Sequence, residues 1–262
     1  MNDPIVDVNV NLSRWPTRRI REDETSKLVA KLIAHGVVEA WAGSFDGLLH
    51  KDIAAVNARL VKECSDQQRV RLVPFGSINP KLPGWEEDLV SCAEVHRMPG
   101  IRLNPNYHGY KLDDPVFARL LELATSLRLI VTMAMIMEDE RMMHPLLRVP
   151  PVDPAPLTEI VSHIPGLRLV LLNAMPVRNL RGETMQKLMK AGDVFVEIAM
   201  LEGMGGVNKL LKEVSVDRVL FGSNAPLFYF ESASLKLQES TLDDSNLRSI
   251  RFANARRLLP VS

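Results

Sequence analysis

Four asparagines stand where β-type runs end: Asn9 and Asn11 in VDVNVNLSRWP, Asn173 in GLRLVLLNAMP and Asn224 in DRVLFGSNAP. Side chains alternate with period two along a strand, so Asn9 and Asn11 project to one face and Val8 and Val10 to the other. Strand interiors seldom carry Asn, because a buried amide must find partners for its two donors and its acceptor. The pair therefore marks a polar face that hydrogen-bonds but carries no charge. Charged and aromatic groups cluster at other strand ends. RLNPNYHGY supplies Arg102, Asn104, Asn106, Tyr107 and His108; IVTMAMIMEDERMMH supplies Thr132, Glu138, Asp139, Glu140 and His144; DVFVEIAMLEG supplies Glu197 and Glu202. Arg102 offers a planar fork for a substrate carboxylate, with an ion pair to Glu138 or Glu197 as the structural alternative. Glu197 lies in an apolar strand, and burial raises a carboxyl pKa towards the general-acid range; a core salt bridge is its plainer role.

His108, His144 and Glu138 are further acid–base candidates. Each has a bland reading too: packing or surface groups for the histidines, and the solvated start of a helix for the EDER run. GMGG, residues 203–206, follows a strand at a place where backbone amides can hold phosphate, although tight-turn glycines explain it equally. The tip NYHGY, which as a loop over the mouth could touch ligand, could equally form a subunit interface with Trp15 and Trp41.

Positioning these groups falls to a repeated unit. Apolar, β-branched runs start near Val6, Val37, Val70, Gly100, Arg128, Leu167, Val194 and Arg218, and a helix-length segment follows nearly every one. In DDPVFARLLELA, Asp114 precedes a first-turn Pro115 and apolar residues recur at helical spacing; KDIAAVNARLVKEC repeats the amphipathic pattern. Eight β/α units in 262 residues predict a single-domain (β/α)8 TIM barrel over residues 1–262, and no glycine-rich dinucleotide fingerprint follows the first strand. In such a barrel the C-terminal strand ends form the active site, which is where the asparagines fall. The proline-dense stretch from His144 to Pro156 reads as a loop over the mouth.

Composition narrows the partners. Lys plus Arg and Asp plus Glu balance at 32 each, which gives no long-range field for nucleic acid or a membrane surface. The longest apolar run, Leu129 to Met137, is far short of the roughly 18 residues of a membrane span, and the N-terminus has no basic stretch followed by an apolar one, so neither an export signal nor a membrane anchor is expected. Two cysteines, Cys64 and Cys92, form no metal or disulfide pattern, consistent with a reducing cytoplasm. The expected partner is a small molecule.

Taken in order, VDVNVNLSRWP, VLLNAMP, VLFGSNAP and NARRLL at Asn254 to Leu259 resemble the amidohydrolase-related family of metal-dependent TIM-barrel hydrolases, over nearly the whole chain. In that family a His-x-His pair ends strand one, single His residues end strands five and six, and an Asp ends strand eight. The resemblance lays those positions on Asn9 and Asn11, Thr132, Asn173 and Asn224, framed by matching Asp7, Gly222, Ser223 and Pro226. The family implies a divalent metal such as zinc. Zinc takes imidazole, thiolate or carboxylate, and even calcium, which accepts amide oxygen, adds several carboxylates. The expectation is thus no metal and no other cofactor, since spacing recommends no displaced ion at Glu138, Asp139, Glu197 or His108. Two functions follow from the resemblance. One is a metal-independent hydrolase of a small carboxylate-bearing lactone, amide or ester: Arg102, His108, Glu138 and Glu197 are its catalytic candidates. Its substrate contacts would be Asn9, Asn11, Asn104, Tyr107, Thr132, His144, Asn173 and Asn224. The other is a non-catalytic ligand- or partner-binding barrel. The resemblance also implies a dimer or higher homo-oligomer.

Overall fold

The structure is a computed structural model that describes residues 4–177 and 179–259. Eight strands form one parallel sheet in sequential order: β1 (Ile5–Leu12), β2 (Val37–Ser44), β3 (Arg71–Ser77), β4 (Gly100–Leu103), β5 (Ile130–Ala134), β6 (Arg168–Leu172), β7 (Asp193–Glu197) and β8 (Val219–Leu220). Helices α1 (Thr25–Ala34), α2 (Ile53–Ser65) and α3 (Trp85–Glu94) follow the first three strands. The one-turn α4 (Pro105–His108) and α5 (Pro115–Ser126) follow β4; α6 (Leu157–His163), α7 (Glu183–Ala191) and α8 (Gly206–Leu210) come next. After β8 come α9 (Phe230–Gln238), α10 (Asp244–Arg248), a π-helix at Ser249–Ala253 and α11 (Asn254–Leu258). This is the (β/α)8 barrel that the alternating pattern predicts.

Local chemistry fixes the helix starts. Asp52 accepts the Ala55 N–H at 3.0 Å and so caps α2. Pro115 occupies the first turn of α5, where its missing N–H costs nothing, although Asp114 makes no side-chain cap bond.

Two apolar layers hold the barrel. Val6, Val8, Trp41, Phe75, Ile130 and Phe195, from five different strands, pack together with Ala255 and Leu258 of α11. A cluster that joins so many strands is the lumen, and α11 plugs its lower end. Outside the sheet, Ile5, Val10 and Leu12 of β1 pack into the helix layer. Val8 and Val10 thus sit on opposite faces of the sheet, which corrects the simple alternation expected for this strand. Between Asp7 and Val10 the β1 register slips by one residue against Ala40 and Ala42 of β2. This bulge re-aims the chain so that Asn9 and Asn11 turn into the barrel beyond Val8. Trp15 and Trp41 are also corrected: both are buried, so neither is part of an exposed interface.

The seam between β8 and β1 has little ladder. Val8 N–H donates to Phe221 O at 3.0 Å and Asn11 N–H to Ala225 O at 2.9 Å, with an isolated bridge between Val10 and Ala225. Side chains complete the closure.

Candidate functional site at the barrel mouth

Above the apolar plug, the lumen turns polar. Arg102 and Glu197 share the inward phase of their strands, and Asn9 and Asn11 join them through the bulge. Asn173 directly follows β6 with φ of 54°, and Asn224 lies beyond β8 with φ of 55°. Asparagine is among the few side chains that accept this left-handed backbone, so these two residues also serve the turns that they occupy.

The groups form one hydrogen-bonded mesh. Asn9 Nδ2 donates to Asn173 Oδ1 at 3.0 Å and to Glu197 Oε1 at 3.2 Å. Asn11 Nδ2 donates to Asn224 Oδ1 at 3.4 Å, and Arg102 Nη1 donates to Asn11 Oδ1 at 2.7 Å. Asn173 and Asn224 hand their own Nδ2 groups to the carbonyls of Ile136 (2.8 Å) and Met137 (3.1 Å), beyond β5. Strands β1, β4, β6 and β7 and the segments after β5 and β8 are thereby tied at one level. All four asparagines are buried, none more than 2 % exposed.

Arg102 is fully enclosed. Besides Asn11, it donates to the carbonyls of Val10 (2.9 Å), Val8 (3.3 Å) and Trp41 (3.2 Å). Its partners are therefore neutral oxygens, and neither Glu138 nor Glu197 pairs with it. Burial draws its pKa down to about 10, while the charges of Asp7 and Glu197 act in the opposite direction. Gly43 of β2 makes the room: a Cβ there would lie 2.7 Å from Arg102 Cδ. A glycine inside an apolar strand is the sequence signal for such a close approach. Gly222 does the same for Glu197, whose Oε2 would sit 2.6 Å from an added Cβ.

Glu197 accepts the Asn173 N–H at 2.6 Å and the Ala199 N–H, and burial raises its pKa above the ordinary value. A second buried carboxylate lies behind β1, where sequence reasoning gave Asp7 only a framing role. Asp7 accepts the N–H groups of Asn9 (3.1 Å) and Ser223 (3.0 Å) and the Ser223 hydroxyl (2.5 Å), which closes the β8–β1 seam. Burial pushes its pKa up to about 7 against these hydrogen bonds. The alternating VDVNVN run contained the signal, because an inward or backward Asp in a strand needs partners as much as an Asn does.

The remaining candidates surround the mesh without joining it. Thr132 Oγ1 donates to Ile101 O at 3.0 Å. Glu138 is buried and pairs with Arg18 of the β1–α1 segment at 2.7 Å, an ion pair across the mouth that the sequence reading missed. Tyr107 packs edge-on to Trp15 at 6.4 Å, and with Phe45 and Met137 these rings cover the mesh. Asn104 is buried with its Oδ1 unpartnered among the described residues, as is Trp15 Nε1. His108 Nε2 lies 2.8 Å from Gly47 O, and burial lowers its pKa. A neutral ring that donates there leaves Nδ1 as a buried acceptor without a partner among the described residues. His144 is exposed and accepts the Leu146 N–H through Nδ1 at 3.2 Å. Asp139 is bound to Arg141, and Glu140 and Glu202 are exposed. Asn106 Nδ2 donates to Pro150 O in the proline-dense loop. Gly203 and Gly205 have positive φ, and α8 after them has only five residues, which is the turn reading of GMGG.

The donor set does not fit a divalent ion. At the ligand positions that the resemblance assigns, the Oδ1 atoms of Asn173, Asn224 and Asn11 already accept from Asn9, Asn11 and Arg102, Glu197 is the one carboxylate that joins them, and Arg102 brings a guanidinium to a place where a cation would need several anionic ligands. Among the described residues, no three His, Cys, Asp or Glu side chains converge as metal ligands. No helix among them is long and apolar enough to cross a membrane.

Comparison with known proteins finds the same fold in solved structures. The structure superposes on 5-carboxyvanillate decarboxylase from Sphingomonas paucimobilis with TM-score 0.77, 12% identity and coverage of 100% of both chains. Dihydroxybenzoic acid decarboxylase from Polaromonas sp. JS666, solved with manganese and the inhibitor 2-nitroresorcinol, gives TM-score 0.75 at 11% identity, covering 98% of this chain and 97% of that one. The apo IDCase of Metarhizium anisopliae gives 0.71 at 15%, with the same coverages. No curated protein sequence matches the chain. The family model described as amidohydrolase matches residues 16–261, from just after β1 to the end of the barrel, and the chain therefore belongs to the amidohydrolase family.

Proposed function

We propose that this chain is a member of the family that has given up divalent-ion chemistry and keeps its barrel as a cytoplasmic small-molecule-binding protein. The observation that carries this reading is the mesh itself: Arg102 and the four asparagines are hydrogen-bonded to one another and to backbone carbonyls, with only Arg102 Nε of the guanidinium left unpartnered among the described residues, where the resemblance lays the family's metal ligands. The ligand would meet the cap above the mesh, where Trp15 Nε1 and Asn104 Oδ1 are buried donor and acceptor without partners among the described residues. The cavity beside Asn104 and Tyr107 measures about 10 Å3, room for one water, so a larger ligand requires the cap to part. Parting it breaks the Arg18–Glu138 ion pair.

A second reading, hydrolysis of a small carboxylate-bearing lactone, amide or ester without metal, draws on one observation. Asp7 and Glu197 are buried carboxyls with raised pKa on either side of Asn9, and a carboxyl that titrates near neutrality can carry a proton in both directions. In that reading Arg102 acts as a positioning residue, since its fork is committed to backbone carbonyls and Asn11.

One experiment separates the two. Hydroxybenzoates, which the names of the structural neighbours suggest, and small lactones are incubated with the full chain, and thermal stabilisation and product are measured together, with and without chelator. Binding proposes saturable stabilisation with the ligand recovered intact. Conversion that survives chelator but is lost in Arg102→Ala establishes the hydrolytic reading instead, and conversion lost in chelator sinks both.

A further inference from the structure

A second cavity, of about 510 Å3, lies outside the barrel between α1, α9 and the π-helix, well within the size range of small-molecule sites. Ile33 and Leu247 give it partly exposed apolar walls over the buried Ile5, Phe221 and Leu237, and His35, Ser234, Gln238 and Arg251 stand around it. The π-helix explains how Arg251 comes to be there. Widening of the turn frees the Ile250 carbonyl from the helical ladder, and it accepts the Phe221 N–H at 3.0 Å, which pins the turn to the sheet beside the cavity. π-Turns are rare and concentrate at functional sites.

Arg251 has no counter-ion. Among the described residues no carboxylate lies within ion-pair distance of it, whereas Arg256, five positions on, pairs with Glu39 at 2.6 Å. Glu231 of α9 is occupied by Lys31 and by His35 Nε2. Ser234 and Gln238 likewise make no side-chain hydrogen bond among the described residues. One unpaired planar guanidinium, two neutral polar side chains and the apolar Ile33 and Leu247 thus face a single space.

We infer that this cavity binds a small monocarboxylate with an apolar body: the carboxylate takes the Arg251 fork, with Ser234 and Gln238 beside it, and the hydrocarbon or ring covers Ile33 and Leu247. Carboxylate matches a lone guanidinium in charge and geometry; a phosphate dianion would call for a second cation, and the neighbouring Lys31 is committed to Glu231. The site shares no residue with the barrel mouth, so it stands or falls apart from the proposed function.

Benzoate and hexanoate, titrated calorimetrically into the full chain, test it. The expected result is one saturable site for at least one of the two, weakened about tenfold or more in Arg251→Gln, and abolished in Ser234→Phe, whose ring enters the cavity from its rim. Ser234 is only partly buried, so that variant keeps the test intact even where Arg251→Gln fails to fold by circular dichroism. Absence of saturable binding by either acid overturns the inference. So does binding that persists unchanged in folded Ser234→Phe, because the acid then sits elsewhere, the mouth included.

Discussion

Replacing Asp7 with asparagine removes a buried charge while keeping each hydrogen bond around it. The amide oxygen takes the place of Oδ1, which accepts the N–H groups of Asn9 and Ser223. The amide nitrogen then donates to Ser223 Oγ, which rotates its hydrogen away and already accepts the Ala225 N–H. Burial holds the Asp7 carboxyl at about 7, against 3.8 for an ordinary aspartate. That gap of about 3 pKa units corresponds to roughly 4 kcal/mol at most. An acid whose pKa is raised on folding binds its proton more tightly in the folded state. Its stabilising effect is therefore complete below about pH 4 and is lost as pH rises through about 7. Asp7→Asn is thus expected to match the natural chain near pH 4, and to exceed its stability by up to ~4 kcal/mol near pH 8. Urea unfolding followed by circular dichroism at several pH values between these limits measures the difference directly. A variant that is destabilised by the same amount at both ends of the range would refute the reasoning, because the charge would then cost nothing to bury.

Other consequences of the mesh are equally direct. Asn9→Ala deletes the donor shared by Asn173 Oδ1 and Glu197 Oε1 and leaves a buried carboxylate short of a partner; a loss of about 3 kcal/mol is expected in urea unfolding, and a loss under about 0.5 kcal/mol would mean that the amide is ornamental. Gly43→Ala puts a methyl 2.7 Å from Arg102 Cδ and forces the guanidinium off its carbonyl partners; the expected cost is about 1–3 kcal/mol. Full stability in that variant would show that Arg102 is free to move.

Much of the architecture was legible before any coordinates. The β/α alternation located all eight strands within a few residues, because each buries an apolar run between turn signals, and the asparagines fell at the barrel mouth as strand-end geometry requires. What escaped depends on contacts far apart in the chain. The β1 bulge that parts Val8 from Val10 is a property of pairing with β2, invisible in the VDVNVN pattern alone. Asp7 and Ser223 meet across 216 positions, and Arg18 reaches Glu138 across 120. Arg102 looked like a ligand clamp because its principal partners, the carbonyls of Val8, Val10 and Trp41, have no side-chain signature. Burial of Trp41 in the lumen and of Trp15 under the cap is set by layers that form only on closure, which leaves both open to an interface reading from sequence.

On the proposed function, amides and a guanidinium stand in for the divalent-ion centre of the family. Elemental analysis of the purified full chain, before and after incubation with zinc and with manganese and passage through a desalting column, measures this. Far less than one equivalent of either metal is expected in every sample. One equivalent retained through the column would contradict it, and would mean that carboxylates such as Glu138 and Glu197 rearrange around an ion that the mesh is argued to exclude.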